Sequence, residues 1–304
     1  MPCGNKRLLL TGATGLIGRE LAEPLVAAGF EVCAITIDEV NPDNGFKWIR
    51  GSLFDESFVE KTVADVRPTH LLNLAWVTTG DYLTNDVNYR FLTAGESLAR
   101  SFARHGGRRA VYAGTCFEYK FKDGPIKESD ALDAEKNAYT HCKNALRESA
   151  QRIFKEQGVS FAFGRIFYAF GRGEAKTRLT GLILDKLRKG ETVEIKSGPL
   201  EKDYIYSCDI AAAFVALLDA NAEGAVNICT GKTVTIKDFA LTLAEKLGRP
   251  ELVVFHDDCA GQPQRIVGDA RRLRDEVGYS PRWSLGEAMA EIAAYGRQVE
   301  RRSS

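Results

Sequence analysis

What the chain lacks narrows it first. It has no excess of either charge: 41 Lys and Arg stand against 41 Asp and Glu in 304 residues. No overall field attracts a polyanion, which weighs against a nucleic-acid or membrane-surface partner. It has no apolar window long enough to span a bilayer, and the stretch from Met1 to Arg7 lacks the apolar segment of a secretory signal. A cytoplasmic protein is expected. It has no C-x-x-C pair: Cys3, Cys33, Cys116, Cys142, Cys208, Cys229 and Cys259 are scattered. That fits reduced thiols serving as small apolar fillers, and neither a disulfide framework nor a metal site. Internal repeats and low-complexity stretches are missing as well.

What is present is a chain able to bury a sizeable core, 44% hydrophobic, as one large domain or a large and a small one. Its organising stretch is Leu8 to Gly18, Leu-Leu-Leu-Thr-Gly-Ala-Thr-Gly-Leu-Ile-Gly. An apolar run without helical period reaches Thr11, Gly12, Gly15 and Gly18 follow, and a helical pattern begins at Leu21, Ala22, Leu25 and Val26. The spacing predicts a buried strand, a tight turn and a helix start. Such a turn aims backbone N–H groups at the positive end of a helix, where a pyrophosphate sits free of side chains. Gly12 permits the turn, Gly15 the approach of phosphate, and Gly18 the packing of helix on strand. A glycine triplet alone also occurs as a plain turn; the flanking strand and helix turn this one towards nucleotide binding.

Gly29 stops the first helix, and Phe30 to Ile37 reads as a second strand that completes a βαβ unit. The end of that strand reads the adenosine ribose. A carboxylate there favours NAD, whereas a neutral residue leaves room for the 2′-phosphate of NADP. Thr36 holds the place and Asp38 lies two residues on, so both cofactors stay open. A short strand (Lys47 to Ile49) leads to the Gly51–Asp55 turn, which contains Leu53, and to a helix ended by Pro68. Thr69 to Ala75 is a further strand; the polar loop Trp76 to Asp86, with Thr78, opens at the edge over which α/β sheets bind ligands. His70 begins that strand, far from this edge, and receives no catalytic or metal role. A helix from Val87 to Arg104 carries Asn88 in its first turn, and the strand Ala110–Gly114 exits through Thr115-Cys116-Phe117-Glu118-Tyr119.

The helix from Asn137 to Gln157 carries Tyr139 and Lys143 four residues apart, hence on one face, which points over the strand ends if Cys142, Leu146, Ala150, Ile153 and Phe154 are buried elsewhere. An ammonium near a phenol favours the phenolate, and the Thr115 hydroxyl could hold the same substrate oxygen. Tyr-x-x-x-Lys alone also arises by chance on amphipathic helices; its place after the glycine turn and Thr115 gives it weight. Gly158 stops the helix and Val159 to Phe167 reads as another strand. Beyond it, the loop Gly171–Gly173, a helix Leu179–Lys189 and a short strand Thr192–Ile195 read as a lid. Asp203 to Tyr206 then leads to a helix Cys208–Leu218 and a strand Ala225–Cys229. A helix Ile236–Leu247, the segment Leu252–Phe255, the polar run Gly261–Arg265 and a helix from Ser284 close the chain, with Arg271, Arg272 and Arg274 expected as a solvated face.

These residues together resemble the extended short-chain dehydrogenase/reductase family, in its nucleotide-sugar epimerase, dehydratase and 4-ketoreductase branch. Thr11 to Gly18 is similar to its cofactor turn, Leu74-Ala75 to the strand over the nicotinamide, Asn88 to the Asn opening the next helix, and Thr115, Tyr139 and Lys143 to its catalytic trio. The closing Gly278-Tyr279-Ser280-Pro281 and Ser284-Leu285 also match. The resemblance implies an α/β doubly wound parallel sheet of Rossmann type, formed by 1–166 with 203–230, and a smaller C-terminal substrate-binding domain from 167–202 with 231–304. It implies Tyr139 as general acid/base, Lys143 lowering its pKa and holding the nicotinamide ribose, and Thr115 orienting substrate. Cofactor contacts would come from Gly12, Thr14, Gly15, Leu16, Ile17, Gly18, Thr36, Asp38, Leu53, Leu74, Ala75, Asn88, Tyr139 and Lys143. Substrate contacts would come from Thr78, Thr115, Tyr168, Arg178, Lys202 and Arg265. A homodimer pairing the Asn88 and Tyr139 helices is also implied.

The chain departs from the family pattern where the nucleotide end of the substrate would sit. Ser52 replaces an acid near adenine, Tyr168 to Arg172 replaces Asn and Tyr-Gly-Pro, and Lys202 before Asp203 replaces an Arg; Lys neutralises a diphosphate but cannot grip it with two bonds. Arg265 could. The expectation is an NAD(P)-dependent enzyme working at C4 of a nucleotide-linked sugar, leaning to a 4-ketoreductase over an epimerase and slightly to NADP. A reductase of a smaller carbonyl compound stays open, in the manner of the flavonol-type reductases. A cofactor-sensing protein without catalysis stays open too, although it would normally lack Tyr139 or Lys143.

Overall fold

The computed structural model describes residues 6–39 and 43–303, with side chains through residue 295. The first strand, β1 (Lys6–Thr11), holds Leu8, Leu9 and Leu10 wholly out of solvent, as a strand covered on both faces requires. After the glycine turn comes a single 3-10 turn, Gly18–Glu20, and then α1 (Ala22–Ala27). The 3-10 turn does not run on into α1, since Pro24 has no N–H to give the Glu20 carbonyl. Next come β2 (Phe30–Thr36), β3 (Lys47–Arg50) and α2 (Glu56–Val66), which the Asp55 carboxylate caps by accepting from the amides of Ser57 and Phe58. Helix α2 ends at Arg67, in the left-handed region at φ 45°; Pro68 behind it disfavours right-handed helical backbone there.

Then follow β4 (His70–Asn73), α3 (Val87–Arg104), β5 (Arg109–Thr115), β6 (Pro125–Ile126), α4 (Ala138–Glu156) and β7 (Ser160–Ile166). The chain continues through β8 (Tyr168–Phe170), α5 (Leu179–Arg188), β9 (Val193–Ile195), β10 (Glu201–Lys202) and β11 (Tyr204–Tyr206). It returns to the main body with α6 (Ser207–Asp219) and β12 (Gly224–Ile228). The rest is β13 (Val234–Thr235), α7 (Ile236–Leu247), β14 (Val253–Phe255), β15 (Arg265–Gly268), α8 (Arg271–Asp275) and α9 (Leu285–Ser303).

Seven strands form a parallel sheet in the order β12-β7-β5-β4-β1-β2-β3. The order reverses between β1 and β4, and that switch opens the crevice where an α/β sheet takes its ligand. Arg109, at the start of β5, is buried; its guanidinium donates to the carbonyls of Leu217 (2.7 Å) and Ala222 (2.8 Å) beyond the far edge of the sheet, and to Ser160 Oγ (2.8 Å). A separate apolar cluster joins Ile183 and Leu187 of α5, Phe239 and Leu243 of α7, and Met289 and Ile292 of α9.

Two readings of the sequence need amendment. The polar run before Arg265 leads into a strand, β15, which pairs in parallel with β10 and β6 in a four-stranded sheet; its two buried apolar residues, Ile266 and Val267, are too few to show a period. Arg272 is more than a solvated residue, because besides its pair with Glu276 it donates to the carbonyls of Ala225 and Glu223 and docks α8 on β12. The stretch read as a lid follows directly on β8, which is fixed against β11. Cys33, Cys116, Cys142, Cys208, Cys229 and Cys259 are all free thiols; Cys3 lies outside the described residues. Among the described residues no helix is long and apolar enough to cross a membrane, and no cluster of potential metal ligands occurs.

Candidate active site

The glycine turn is shaped by contacts that leave no room for side chains. Gly12 takes φ +73°, and a Cβ on it would lie 2.8 Å from Leu74 C and Ala75 N, so the turn presses directly on the end of β4. A Cβ on Gly18 would meet the Gly12 carbonyl oxygen at 2.1 Å. Gly18 therefore packs on the turn itself and not on the strand, as the spacing had suggested. Gly15 N–H donates to Gly12 O at 3.1 Å. Arg19, to which the sequence drew no attention, folds back over the loop with bonds of 3.2 Å to the carbonyls of Gly15 and Thr14.

A cavity of about 470 Å³ opens from this turn to the ends of β4, β5 and β7. It gathers Gly12, Gly15, Leu16, Ile17, Gly18, Leu74, Thr78, Thr115, Tyr139, Lys143, Tyr168 and Arg178 from among the expected site residues. Thr14, Thr36, Asp38, Leu53, Ala75, Asn88, Lys202 and Arg265 do not line it. Thr36 is buried with its hydroxyl accepting from the Asp38 amide (3.0 Å), and Asp38 is exposed. Lys202 donates to the Pro263 carbonyl (3.2 Å), and Arg265 pairs with Glu201 (3.4 Å). A second cavity of about 510 Å³, between Tyr206, Trp283 and the 230–234 loop, contains none of the expected residues.

Tyr139 and Lys143 reach the first cavity because α4 starts at Asn137, whose side chain caps the Thr140 amide while Thr140 answers it. Burial pushes the Tyr139 phenol above its ordinary value, and a hydrogen bond with the Thr115 hydroxyl partly offsets this. Lys143 Nζ donates to the Ala113 carbonyl at 2.8 Å and lies 3.9 Å from the centre of the Trp76 ring. Burial pulls the ammonium down to about 7, against the opposing pull of the Glu118 carboxylate. The expected lowering of the phenol by Lys143 is not what dominates here. The lysine is turned to the carbonyl and the indole, and desolvation governs Tyr139.

Asn88 acts one layer behind the cavity. It is fully buried, accepts from Trp76 Nε1 (2.7 Å) and donates to the carbonyls of Tyr82 and Asn85 (both 2.7 Å), which pins the 76–86 loop. Tyr82 thereby meets Tyr139 edge-on, ring centres 5.1 Å apart. The substrate end has aromatic walls, Phe117 and Tyr168, and carries Arg178, whose guanidinium is 3.5 Å from both Glu174 Oε1 and the Tyr82 hydroxyl. Trp76, Tyr82, Phe117 and Glu174 are lining residues that sequence reasoning left without a role; Trp76, directly after Leu74-Ala75, was the one with a local signal.

Residues 8–229 match the model of the NAD dependent epimerase/dehydratase family. Among curated relatives, the dTDP-4-dehydro-6-deoxyglucose reductase of Escherichia coli is 24% identical over 307 residues, covering 94% of this chain and 96% of that one. The UDP-glucuronic acid decarboxylase 1 of Xenopus tropicalis is 23% identical over 308 residues, covering 96% of this chain and 72% of that one. Among solved structures, the UDP-glucose 4-epimerase of Thermotoga maritima with UDP-glucose superposes with a TM-score of 0.87 at 19% identity, over 97% of this chain and 99% of that one.

Proposed function

Because the chain belongs to the NAD dependent epimerase/dehydratase family, we propose that it reduces the 4-keto group of a nucleotide-linked sugar, with Tyr139 as the proton donor. The observation that carries this reading is the convergence of Thr115, Tyr139 and Lys143 on one cavity that begins at the glycine turn. The turn fits a dinucleotide: Gly12, Gly15 and Gly18 line the cavity, and the close backbone packing of Gly12 and Gly18 keeps the turn tight, with no side chain to obstruct a pyrophosphate. Gly12, Gly15, Leu16 and Ile17 would hold the pyrophosphate side, and Leu74 and Lys143 the nicotinamide side. When bound, the nicotinamide supplies the hydride. Thr115 orients the substrate oxygen through its hydroxyl. Tyr139, kept protonated by burial, gives its proton to that oxygen, which is the direction a reduction needs. Trp76, Tyr82 and Tyr168 line the cavity around this oxygen.

The ribose end supports a slight preference for NADP. Thr36 is neutral and its hydroxyl is engaged by the Asp38 amide, while no Arg follows it to reward the 2′-phosphate. Freshly purified protein, denatured and assayed, is expected to release much less than one dinucleotide per chain, and to oxidise one NADPH per 4-keto sugar consumed. Stoichiometric NAD in the extract, with no net oxidation of NADPH, would reverse the choice in favour of an epimerase with Asp38 on the ribose. A cytoplasmic homodimer through α3 and α4 belongs to the same proposal; Tyr89 of α3, half-exposed beside His141 of α4, supports it.

Elimination of water is not expected. The family's dehydratases need a proton donor and a base directly after the catalytic Thr, and here Cys116 and Phe117 stand there. The Glu118 carboxylate is turned away into a buried pair with Arg165, 2.9 Å. Incubation with a 6-hydroxy nucleotide sugar should give no product lighter by one water in the mass spectrum. The reading as a reductase of a smaller carbonyl compound draws on the Lys202 and Tyr168 departures: Lys202 is engaged by the Pro263 carbonyl and Tyr168 lines the cavity. In the NADPH assay, excess nucleoside diphosphate should inhibit competitively if the nucleotide-sugar reading holds, and should leave the rate unchanged if the smaller compound is the substrate.

A further inference from the structure

Glu118 is the one fully buried carboxylate at the exit of β5, and its position is over-determined. The strand ends at Thr115 in a 3-10 turn, Cys116–Glu118, so the side chain curls back instead of alternating outward. Its Oε1 accepts from the Thr115 amide at 2.8 Å and its Oε2 from Arg165 Nε at 2.9 Å. Gly114 makes the space, since a Cβ there would lie 2.7 Å from Oε1. Arg165 is itself held by the Tyr119 hydroxyl (2.9 Å) and the Glu128 carbonyl (3.2 Å), and Tyr119 donates to Asn227 at 2.6 Å. The carboxylate therefore has no alternative orientation.

We propose that Glu118 is a positioning residue of this site: its buried carboxylate fixes Thr115 at the cavity and is the counter-charge of Lys143. The inference rests on the catalytic reading of Thr115, Tyr139 and Lys143 given above. Lys143 Nζ is bonded to the Ala113 carbonyl on β5 and lies against the Trp76 ring on the loop after β4 and Tyr139 on its own helix; Glu118 holds the Thr115 amide two residues beyond that carbonyl, and its charge favours the ammonium. Around Tyr139 are Tyr82 and Trp76, edge-on, Lys143 of its own helix and the Thr115 hydroxyl, and the charges that act on it include Glu118 and Cys116. Glu118 is the only carboxylate in either set. A carboxylate stabilises a nearby ammonium and opposes a nearby phenolate, so it keeps the proton on Lys143 and on Tyr139 alike to higher pH. Arg165 binds Oε2 of Glu118, the oxygen that does not hold the Thr115 amide.

The neutral isostere separates charge from shape. In Glu118→Gln both Lys143 and Tyr139 lose their protons at lower pH, so the profile of turnover against pH is expected to move as a whole to lower pH by about one unit or more. Turnover at pH 7 then falls roughly fivefold through the loss of ammonium alone. Glu118→Asp, which keeps the charge, is expected to return the profile to the wild-type position, with lower turnover because Thr115 is held less well. A merely structural carboxylate would change the height of the profile and leave its midpoint in place, and that result overturns the proposal. The second readout needs no substrate: Lys143 titrated by NMR of labelled lysine in cofactor-free protein should show the same downward shift in Glu118→Gln. If that variant does not fold, because Arg165 is left buried without its partner, the double change Glu118→Gln with Arg165→Met removes the stranded charge. Its Lys143 midpoint must also fall, and an unchanged midpoint again refutes the assignment. Failure of the reductase reading would appear elsewhere, as absent NADPH oxidation by wild type, with the Lys143 titration unaffected.

Discussion

Tyr139→Phe is expected to lower turnover by about 10²–10⁴-fold, the span a general acid contributes, while the affinity for the dinucleotide stays close to that of the wild type. The substitution deletes one hydroxyl and leaves the ring, which packs edge-on against Tyr82 at 5.1 Å and Trp76 at 6.2 Å; the walls of the cavity should survive. Because the phenol is buried and protonated, removing it takes away the transferable proton and one partner of Thr115, with little else to reorganise. Lys143→Ala is a useful contrast: it empties the space under Trp76 and frees the Ala113 carbonyl, and should damage binding and turnover together. Steady-state rates and dinucleotide titrations on the two variants check this. Tyr139→Phe retaining turnover within about tenfold of wild type would remove Tyr139 as the acid.

Gly18→Ala is expected to be strongly disruptive for a single added methyl. Its Cβ would sit 2.1 Å from Gly12 O and 2.6 Å from Ala13 Cα, both backbone atoms of the turn it would have to push aside. Overpacking of this kind costs about 3 kcal/mol or more, which corresponds to a fall in melting temperature of roughly 5–10 °C, and opening the turn should abolish dinucleotide binding. Gly15→Ala makes the control. There the added carbon comes 3.3 Å from Gly12 O, so the fold should survive while binding weakens, because the methyl projects at a residue lining the cavity. Thermal unfolding and dinucleotide binding measured side by side decide it: equal melting temperatures for Gly18→Ala and wild type would show that the turn has slack these contacts do not reveal.

The turn, the main strands and helices and the Tyr139–Lys143 face could be read from the sequence because each is written locally: three glycines at fixed spacing, apolar runs, and a Tyr and Lys four residues apart on a helical stripe. What escaped reading depends on partners far along the chain. Glu118 meets Arg165 and Asn88 meets Trp76, and no pattern around Glu118 or Asn88 announces these meetings. Strand β15 has two buried apolar residues and exists because β10 and β6 flank it. The substrate end was least legible because Lys202 and Arg265, chosen for charge, spend that charge on Pro263 and Glu201.

Arg109 carries a consequence for how the chain is born. A ribosome delivers β5 about a hundred residues before the carbonyls of Leu217 and Ala222 that its guanidinium occupies. Until those carbonyls and β12 arrive, β5 and β7 expose an unfinished edge, and a buried cation lacks its acceptors, a cost of several kcal/mol if the edge were to close early. The first 166 residues therefore cannot complete themselves as a free-standing unit during synthesis. The nascent sheet must wait, open on one side, while residues 167–206 pass by, until α6 and β12 complete it.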